Sequence, residues 1–267
     1  MKKNILSISL LILAIHANAQ KSFLFKIKYL PNHLYKSSSE ERLFPDITLN
    51  TEQFSVRTLT IETDQKNAKG NFPLKMFYTA KQRFKPSQEI FAQLNPKLDK
   101  PIYGHTDGEK LTVDSVPGIK NQEWSANDIA RIINEFKLDL SFPEKPLRIG
   151  ESFTRAYKIY IINVAGLYPI PIEISYQLIS VKNDIAVFDT RLAMDFNFDW
   201  IKGFKAKGTA KGTGKLIFNM AKNYPEYIYS DLEMNYTGSR VSIDIVVDSG
   251  PTTLKRIVEI KNEILPK

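Results

Sequence analysis

Along residues 186–200 the apolar side chains keep to even positions: Phe188, Leu192, Met194, Phe196, Phe198 and Trp200. The odd positions carry Asp189, Arg191, Asp195, Asn197 and Asp199. Side chains alternate across a strand, so this is a strand with one apolar and one charged face. The next stretch, "GFKAKGTAKGTGKLIFN" (203–219), keeps the same parity with smaller residues. Phe204, Ala206, Gly208, Ala210, Gly212, Gly214, Leu216 and Phe218 are even, while Lys205, Lys207, Thr209, Lys211, Thr213 and Lys215 are odd. A three-residue loop at Ile201-Lys202-Gly203, with Gly203 left-handed, would join the two as a hairpin. Its register pairs Trp200 with Phe204, Asp199 with Lys205, Phe196 with Gly208, Leu192 with Gly212 and Asp189 with Lys215. Opposite charges then meet outside and large residues meet small ones inside. A slip of one residue would set every apolar group against a charge.

The same count extends in both directions. Ile170, Ile172, Ile174, Tyr176 and Leu178 are even, and Lys182-Asn183-Asp184 closes their hairpin. Asn223-Tyr224-Pro225 turns the chain into Ile228, Leu232, Met234 and Tyr236, which lie over Gly214, Gly212 and Ala210. Parity then switches, since Val241, Ile243, Ile245 and Val247 are odd, which predicts a two-residue turn at Gly238-Ser239. That turn leaves Glu233 opposite Asp244, a like-charge mismatch. A last turn at Ser249-Gly250-Pro251 leads into residues 252–263. The sum is an antiparallel meander of about six strands.

"SANDIARIINEFKLD" (125–139) supplies an amphipathic helix to cover the apolar face, with Ser125 as N-cap and Ile129, Ile132, Ile133, Phe136 and Leu140 at helical spacing. Towards the N-terminus, Phe23 to Tyr29, Phe54 to Glu62 and Leu74 to Phe84 read as strands. Asp107-Gly108 reads as a turn returning through Leu111 and Val113, and Lys36 to Arg42 as a mobile polar loop. The expected fold is mainly β with one or two helices: a curved, half-barrel-like meander sheet covered by the helix. It forms one β-rich domain over residues 20–267, organised either as a single sheet or as two half-sheets (20–120 and 142–267) joined by helix 125–139. The hairpins at 54–84 and 172–196 echo one another, which fits either duplication or the common look of antiparallel hairpins.

Lys2 and Lys3, the apolar run Ile5 to Ile15 and Ala17-Asn18-Ala19 form a signal peptide over residues 1–19, with cleavage between Ala19 and Gln20. The apolar run is too short to span a bilayer, so no transmembrane segment is expected after cleavage. The chain has no cysteine. The expected protein is therefore exported, periplasmic or secreted, and carries no lipid on an N-terminal cysteine. Losing Lys2 and Lys3 lowers the formal charge from +8 to +6, a modest excess with no basic-aromatic platform for nucleic acid.

The glycine-lysine stretch fails as a phosphate loop, because Thr209 stands where the first glycine is needed and Leu216 follows Lys215. His33 and His105 lack metal-ligand spacing, so no metal and no cofactor are expected. Ser152 lacks the second glycine of a nucleophile elbow. Glu40-Glu41 sits in the presumed polar loop, and Asp195 to Asp199 are matched by cross-strand lysines. No catalytic residues emerge, and a non-enzymatic role is expected.

The segment "FPEKPLRIGESFTR" (142–155) contains Pro143-x-Lys145-Pro146-Leu147-x-Ile149-Gly150-Glu151-Ser152-Phe153. It resembles a Pro-x-Lys-Pro-Val-x-Val-Gly-Asp-Ser-Trp segment recurring in uncharacterised secreted proteins of the Bacteroidota, with Phe153 in place of the tryptophan. "GHTDGEKLTVDSV" and the "ANAQ" end of the leader resemble the same proteins. The resemblance covers roughly residues 100–220 and implies a β-rich envelope protein with no family catalytic residues to carry over.

The stretch "IYIINVAGLYPIPIEI" (159–174) is apolar at nearly every position. It reads either as two strands buried on both faces around a tight connection, or as an exposed apolar rim for a hydrophobic ligand or a partner. Pro169 and Pro171 suit an edge. Ile159, Ile161, Leu167, Tyr168 and Ile170 are the candidate rim residues. The expected function is a non-catalytic module binding lipid or another hydrophobic ligand. The alternative is a structural or assembly protein of the envelope that docks a protein partner through the rim.

Overall fold

The computed structural model describes residues 21–44, 52–85, 92–93, 100–117, 140–163, 166–200, 204–242 and 245–267. Side-chain surroundings are described for these except 82, 84–85, 92–93, 157–163, 166–171, 198–200, 204, 239–242 and 245–250. The leader with Ala19 and Gln20, the segment 125–139 and the loop 201–203 lie outside the described residues.

The strands are β1 (Ser22–Phe23), β2 (His33–Phe44), β3 (Glu52–Thr63), β4 (Phe72–Lys85), β5 (Ala92–Gln93), β6 (Ile102–Thr106) and β7 (Leu111–Ser115). They continue with β8 (Leu147–Arg148), β9 (Ser152–Asn163), β10 (Gly166–Lys182), β11 (Ile185–Trp200), β12 (Phe204–Asn219), β13 (Tyr224–Ser242) and β14 (Ile245–Pro266). Twelve of them form one sheet in the order β7-β6-β4-β3-β2-β14-β13-β12-β11-β10-β9, with β5 beside β4. β1 and β8 make a separate ribbon. The fold is mainly β, and β9 to β14 form an antiparallel meander; the six strands that parity predicts over residues 170–263 correspond to five of these, β10 to β14.

The β11–β12 ladder has the register derived from parity, including Asp199 with Lys205, Phe196 with Gly208, Leu192 with Gly212 and Asp189 with Lys215. Between β10 and β11 the turn residues Asn183 and Asp184 have φ of 50° and 60°. Both are left-handed, as a two-residue hairpin turn requires. β13 sets Leu232 against Gly212 and Met234 against Ala210, while Gly214 meets Ser230 rather than a large residue. The hairpin at Asp107-Gly108 is also present, linking β6 to β7.

Three sequence expectations are corrected. First, no turn occurs at Gly238-Ser239, because β13 runs through both to Ser242. The parity change comes instead from a bulge: Tyr236 pairs with Thr252 but Gly238 with Ser249, so Gly250 and Pro251 together oppose Thr237. The extra residue registers odd-numbered Ile245 and Val247 with even-numbered Ser242 and Arg240. Ser249-Gly250-Pro251 is therefore strand, not turn. Glu233 faces Lys255 and pairs with Lys211 at 3.2 Å, so the expected mismatch with Asp244 does not arise.

Second, Lys36 to Arg42 form part of β2 rather than a loop. The inward positions there are Ser37 and Ser39, both buried, and serine gives no hydrophobic signal. β2 pairs with β14 on one side and β3 on the other, so it joins the N-terminal and C-terminal strands into a single sheet.

Third, of the Phe23 to Tyr29 segment only Phe23 is strand, paired with Ser22 in the two-residue β1. The remainder crosses the inner face of the sheet as a strap. Phe25 packs against Phe142, Phe188 and Phe218 at ring separations of 5.1–5.8 Å. Tyr29 packs against Tyr35 and Tyr224, and its N–H donates to the Gly108 carbonyl at 2.7 Å. The alternation of Phe23, Phe25, Ile27 and Tyr29 is a true burial signal, but it reflects contact with a sheet face instead of a ladder. Tyr29 also reports curvature. Strands lie about 4.8 Å apart, so a flat sheet would hold β13 and β6 roughly 24 Å from each other. One tyrosine touches the start of β13 and the β6–β7 turn, so the sheet curls around the strap.

Candidate functional site

β10 has two neighbours for only part of its length. From Gly166 to Ile174 it pairs with β9, and pairing with β11 begins at Ser175, opposite Arg191. Within the stretch lacking β11 lie Pro169 and Pro171, which have no N–H to give and so cannot sustain a central ladder. Beyond Arg191, β11 is paired only with β12 among the described residues. The sheet thus forks between β10 and β11.

A narrow recess of about 500 Å³, its open mouth included, lies at the crotch of this fork. Ile172, Ile174 and Tyr176 line it from β10, Thr190, Arg191 and Leu192 from β11, and Gly212 from β12. Ile228, Ser230 and Leu232 contribute from β13 and Arg256 from β14. Towards the strap the inner face is sealed, with Leu178, Phe188 and Leu216 at 0% exposure. One row further, Thr190, Gly214 and Ser230 stand side by side across three strands. This row interrupts the large apolar residues of the inner face with small and polar ones.

Behind the recess is a partly buried charge cluster. β2, β3 and β14 bring Glu41, Arg57 and Arg256 together on the inner face. Arg256 Nε donates to Glu41 Oε1 at 2.6 Å, and Arg57 Nη2 donates to Glu41 Oε2 at 2.8 Å. Burial alone would push the Glu41 carboxyl up, but the two guanidinium charges outweigh it and hold the group below the usual carboxylate range. Both charged residues lining the recess, Arg191 and Arg256, are cationic.

The expected rim residues lie on the same hairpin. The backbone register sets Ile159 opposite Ile170, Ile161 opposite Tyr168 and Ile162 opposite Leu167. Their side chains fall outside the described part. Gly150 has φ of 91° in the turn that precedes β9, and Phe153 is buried and stacked on Tyr176 at 5.0 Å.

His105 pairs with Asp114 across β6 and β7 at 2.9 Å, and His33 Nδ1 lies 2.6 Å from the Pro31 carbonyl. Ser152 opens β9 opposite Gln177. Glu41 is not a loop residue, as expected from sequence, but the centre of the charge cluster. Among the described residues no group of three or more His, Cys, Asp or Glu could hold a metal, and no helix is long and apolar enough to cross a membrane.

Sequence reasoning missed Arg256, Arg57 and the Thr190 row. The available signal was polar or small residues on the apolar parity: Thr190 between Phe188 and Leu192, Ser230 between Ile228 and Leu232, and Arg256 between Leu254 and Val258.

No family model and no curated protein matches this sequence. Among solved structures, a chain from a study of lipid–protein interactions in lipovitellin is similar over 89% of this chain, at 13% identity and a TM-score of 0.45. The match spans 26% of the lipovitellin chain, about a quarter of its length.

Proposed function

We propose that this protein is a non-catalytic binding module for a lipid or another hydrophobic ligand, acting outside the cytoplasm. The ligand lies against the inner face of the curled sheet and reaches it through the fork between β10 and β11. The observation that carries this reading is the coincidence of the recess with the fork. The inner face there is largely apolar, small and polar residues interrupt it at Thr190, Gly214 and Ser230, and beside that row β10 and β11 are not paired among the described residues. Ligand sites typically combine apolar walls with a few polar groups, and the lining of this recess has that character. The leader-like residues 1–19 support an exported location.

A second reading, docking of an envelope protein partner, has one observation in its favour. Residues 166–174 of β10 and 192–200 of β11 each leave a strand edge to which an extended partner segment could add.

Locking the fork tests the first reading. Glu173 and Ala193 lie two positions beyond the last β10–β11 pair, and both are exposed. The chain has no cysteine of its own, so a Glu173→Cys/Ala193→Cys protein can be closed and reopened cleanly. The expected result is that N-phenyl-1-naphthylamine, a neutral apolar fluorophore, binds the reduced protein and is excluded from the oxidised one. Equal binding in both states would remove the fork as the access route. Native mass spectrometry after mild extraction separates the two readings, through a bound lipid mass or a stoichiometric protein partner.

A further inference from the structure

We infer that the ligand carries an uncharged hydroxyl head group, held by Thr190 and Ser230 on the inner face, with its chain along Ile172, Ile174, Leu192 and Leu232. The inference rests on the hydrophobic-ligand reading above and adds the chemistry of the head. Thr190 is 8% exposed and lines the recess, between the large apolar side chains of Phe188 and Leu192. Its partner across the ladder is Gly214, and Ser230 stands directly across from that glycine on the other side. A Cβ placed on Gly214 would come 2.6 Å from Thr190 Oγ1, so the threonine hydroxyl leans over the bare glycine. Thr190 and Ser230 thus stand on either side of one gap. Among the described residues neither hydroxyl has a hydrogen-bond partner. A hydroxyl buried without a partner is costly, and a ligand group that bonds it recovers that cost on binding.

The same surroundings disfavour an ion. Arg191 is an odd position, and its side chain belongs to the outer face of the sheet. Arg256 lines the recess from the inner face, but it is already bonded to Glu41 at 2.6 Å and takes part in further interactions. An anionic head would have to compete with Glu41 for it. Val258, 1% exposed, stands between Ser230 and Glu41 in the cross-strand row, so a cationic head at the hydroxyls is parted from that carboxylate. A hydroxyl both donates and accepts, and it satisfies Thr190 and Ser230 without bringing a charge into a poorly solvated place. From there the chain has Ile172, Ile174, Leu192 and Leu232 beside it on the same face.

The experiment compares three ligands with the same twelve-carbon chain, 1-dodecanol, dodecane and ionised dodecanoate, as competitors of bound N-phenyl-1-naphthylamine. 1-Dodecanol is expected to compete better than dodecanoate. Thr190→Val keeps the branched shape and removes the hydroxyl, so it should weaken 1-dodecanol about fivefold, the scale of one hydrogen bond, while dodecane competes as before. Ser230→Ala should act in the same direction, and it carries the test alone if melting curves show that the valine variant does not fold. Dodecanoate competing as well as 1-dodecanol overturns the head-group inference and leaves the hydrophobic-ligand reading standing. So does 1-dodecanol competition that is unchanged in the folded variants, or that weakens no more than dodecane does. Failure of all three ligands to displace the fluorophore overturns both.

Discussion

Gly212 lies where β12 and β13 approach most informatively, and substituting it tests how the sheet is built beside the recess. A Cβ added there would stand 2.8 Å from the Asp231 carbonyl oxygen and 3.3 Å from Leu232 Cδ1. The leucine methyl can rotate away, but the carbonyl belongs to the neighbouring strand and moves only if β13 moves. Relieving the overlap means separating two ladder partners by several tenths of an ångström. Overpacking of this kind costs about 1–3 kcal/mol. Against it, alanine restricts the unfolded chain and returns about 0.4–1 kcal/mol. Gly212→Ala should therefore destabilise by about 1–2 kcal/mol, which lowers the melting temperature by roughly 2–8 °C in a protein of this size. Gly208→Ala should cost more, because its Cβ would overlap the Asn235 carbonyl oxygen outright. Thermal unfolding followed by circular dichroism reads both. A Gly212→Ala protein as stable as the parent would show that the strands do not approach as described. Gly212→Leu adds a second readout, since its side chain would also meet Leu192 and the recess. Full stability with lost fluorophore binding would refute the close-approach argument and make Gly212 the floor of a cavity.

Two further predictions concern the charge cluster and the hairpin. Glu41→Gln leaves Arg57 and Arg256 without their shared counter-charge, so it should destabilise by about 2–4 kcal/mol in urea unfolding, and an unchanged midpoint would show that solvent screens the cluster. The Glu41 carboxyl is held below its unfolded value, so its contribution is fully present above the unfolded pKa near ~4.3 and is lost as pH falls through the lowered folded value. The parent should therefore lose stability in acid below about pH 4, and Glu41→Gln should lose less over that range. If the β9–β10 hairpin is an apolar rim, Leu167→Asp and Ile170→Asp should leave the melt largely unchanged and abolish ligand or partner association, since docking would bury an unpaired charge. Collapse of the melting transition in both variants would mark the hairpin as core.

How much of this was legible in the sequence depends on where the information resided. The β11–β12 register could be read residue by residue, because charge pairs outside and large-small pairs inside both depend on the same count. β2 could not be read that way. Its buried Ser37 and Ser39 and its partly buried Glu41 have the composition of a loop, and only the strands on either side turn them inward. The bulge at Gly250-Pro251 was misread for a related reason. A shift in parity records that one residue has been inserted, and a turn and a bulge insert it equally well. Charge was the signal that could have decided between them: the turn set Glu233 against Asp244, whereas the bulge sets it against Lys255.

The recess illustrates a different limit. Pro169 and Pro171 announce a strand that cannot be paired on both sides, and the sequence alone does show that. What it does not show is that the unpaired side faces β11, or that Thr190, Gly214 and Ser230 fall in one row beside it, because those residues are far apart in the chain and meet only through the register of three ladders. The same holds for Arg256 and Glu41, separated by most of the chain and joined because β2 inserts between β14 and β3. Each polar residue on an apolar parity looks, by itself, like an isolated defect. Assembled in register they form one row of small and polar residues beside the fork, and it is that conjunction which supports the hydrophobic-ligand reading proposed above.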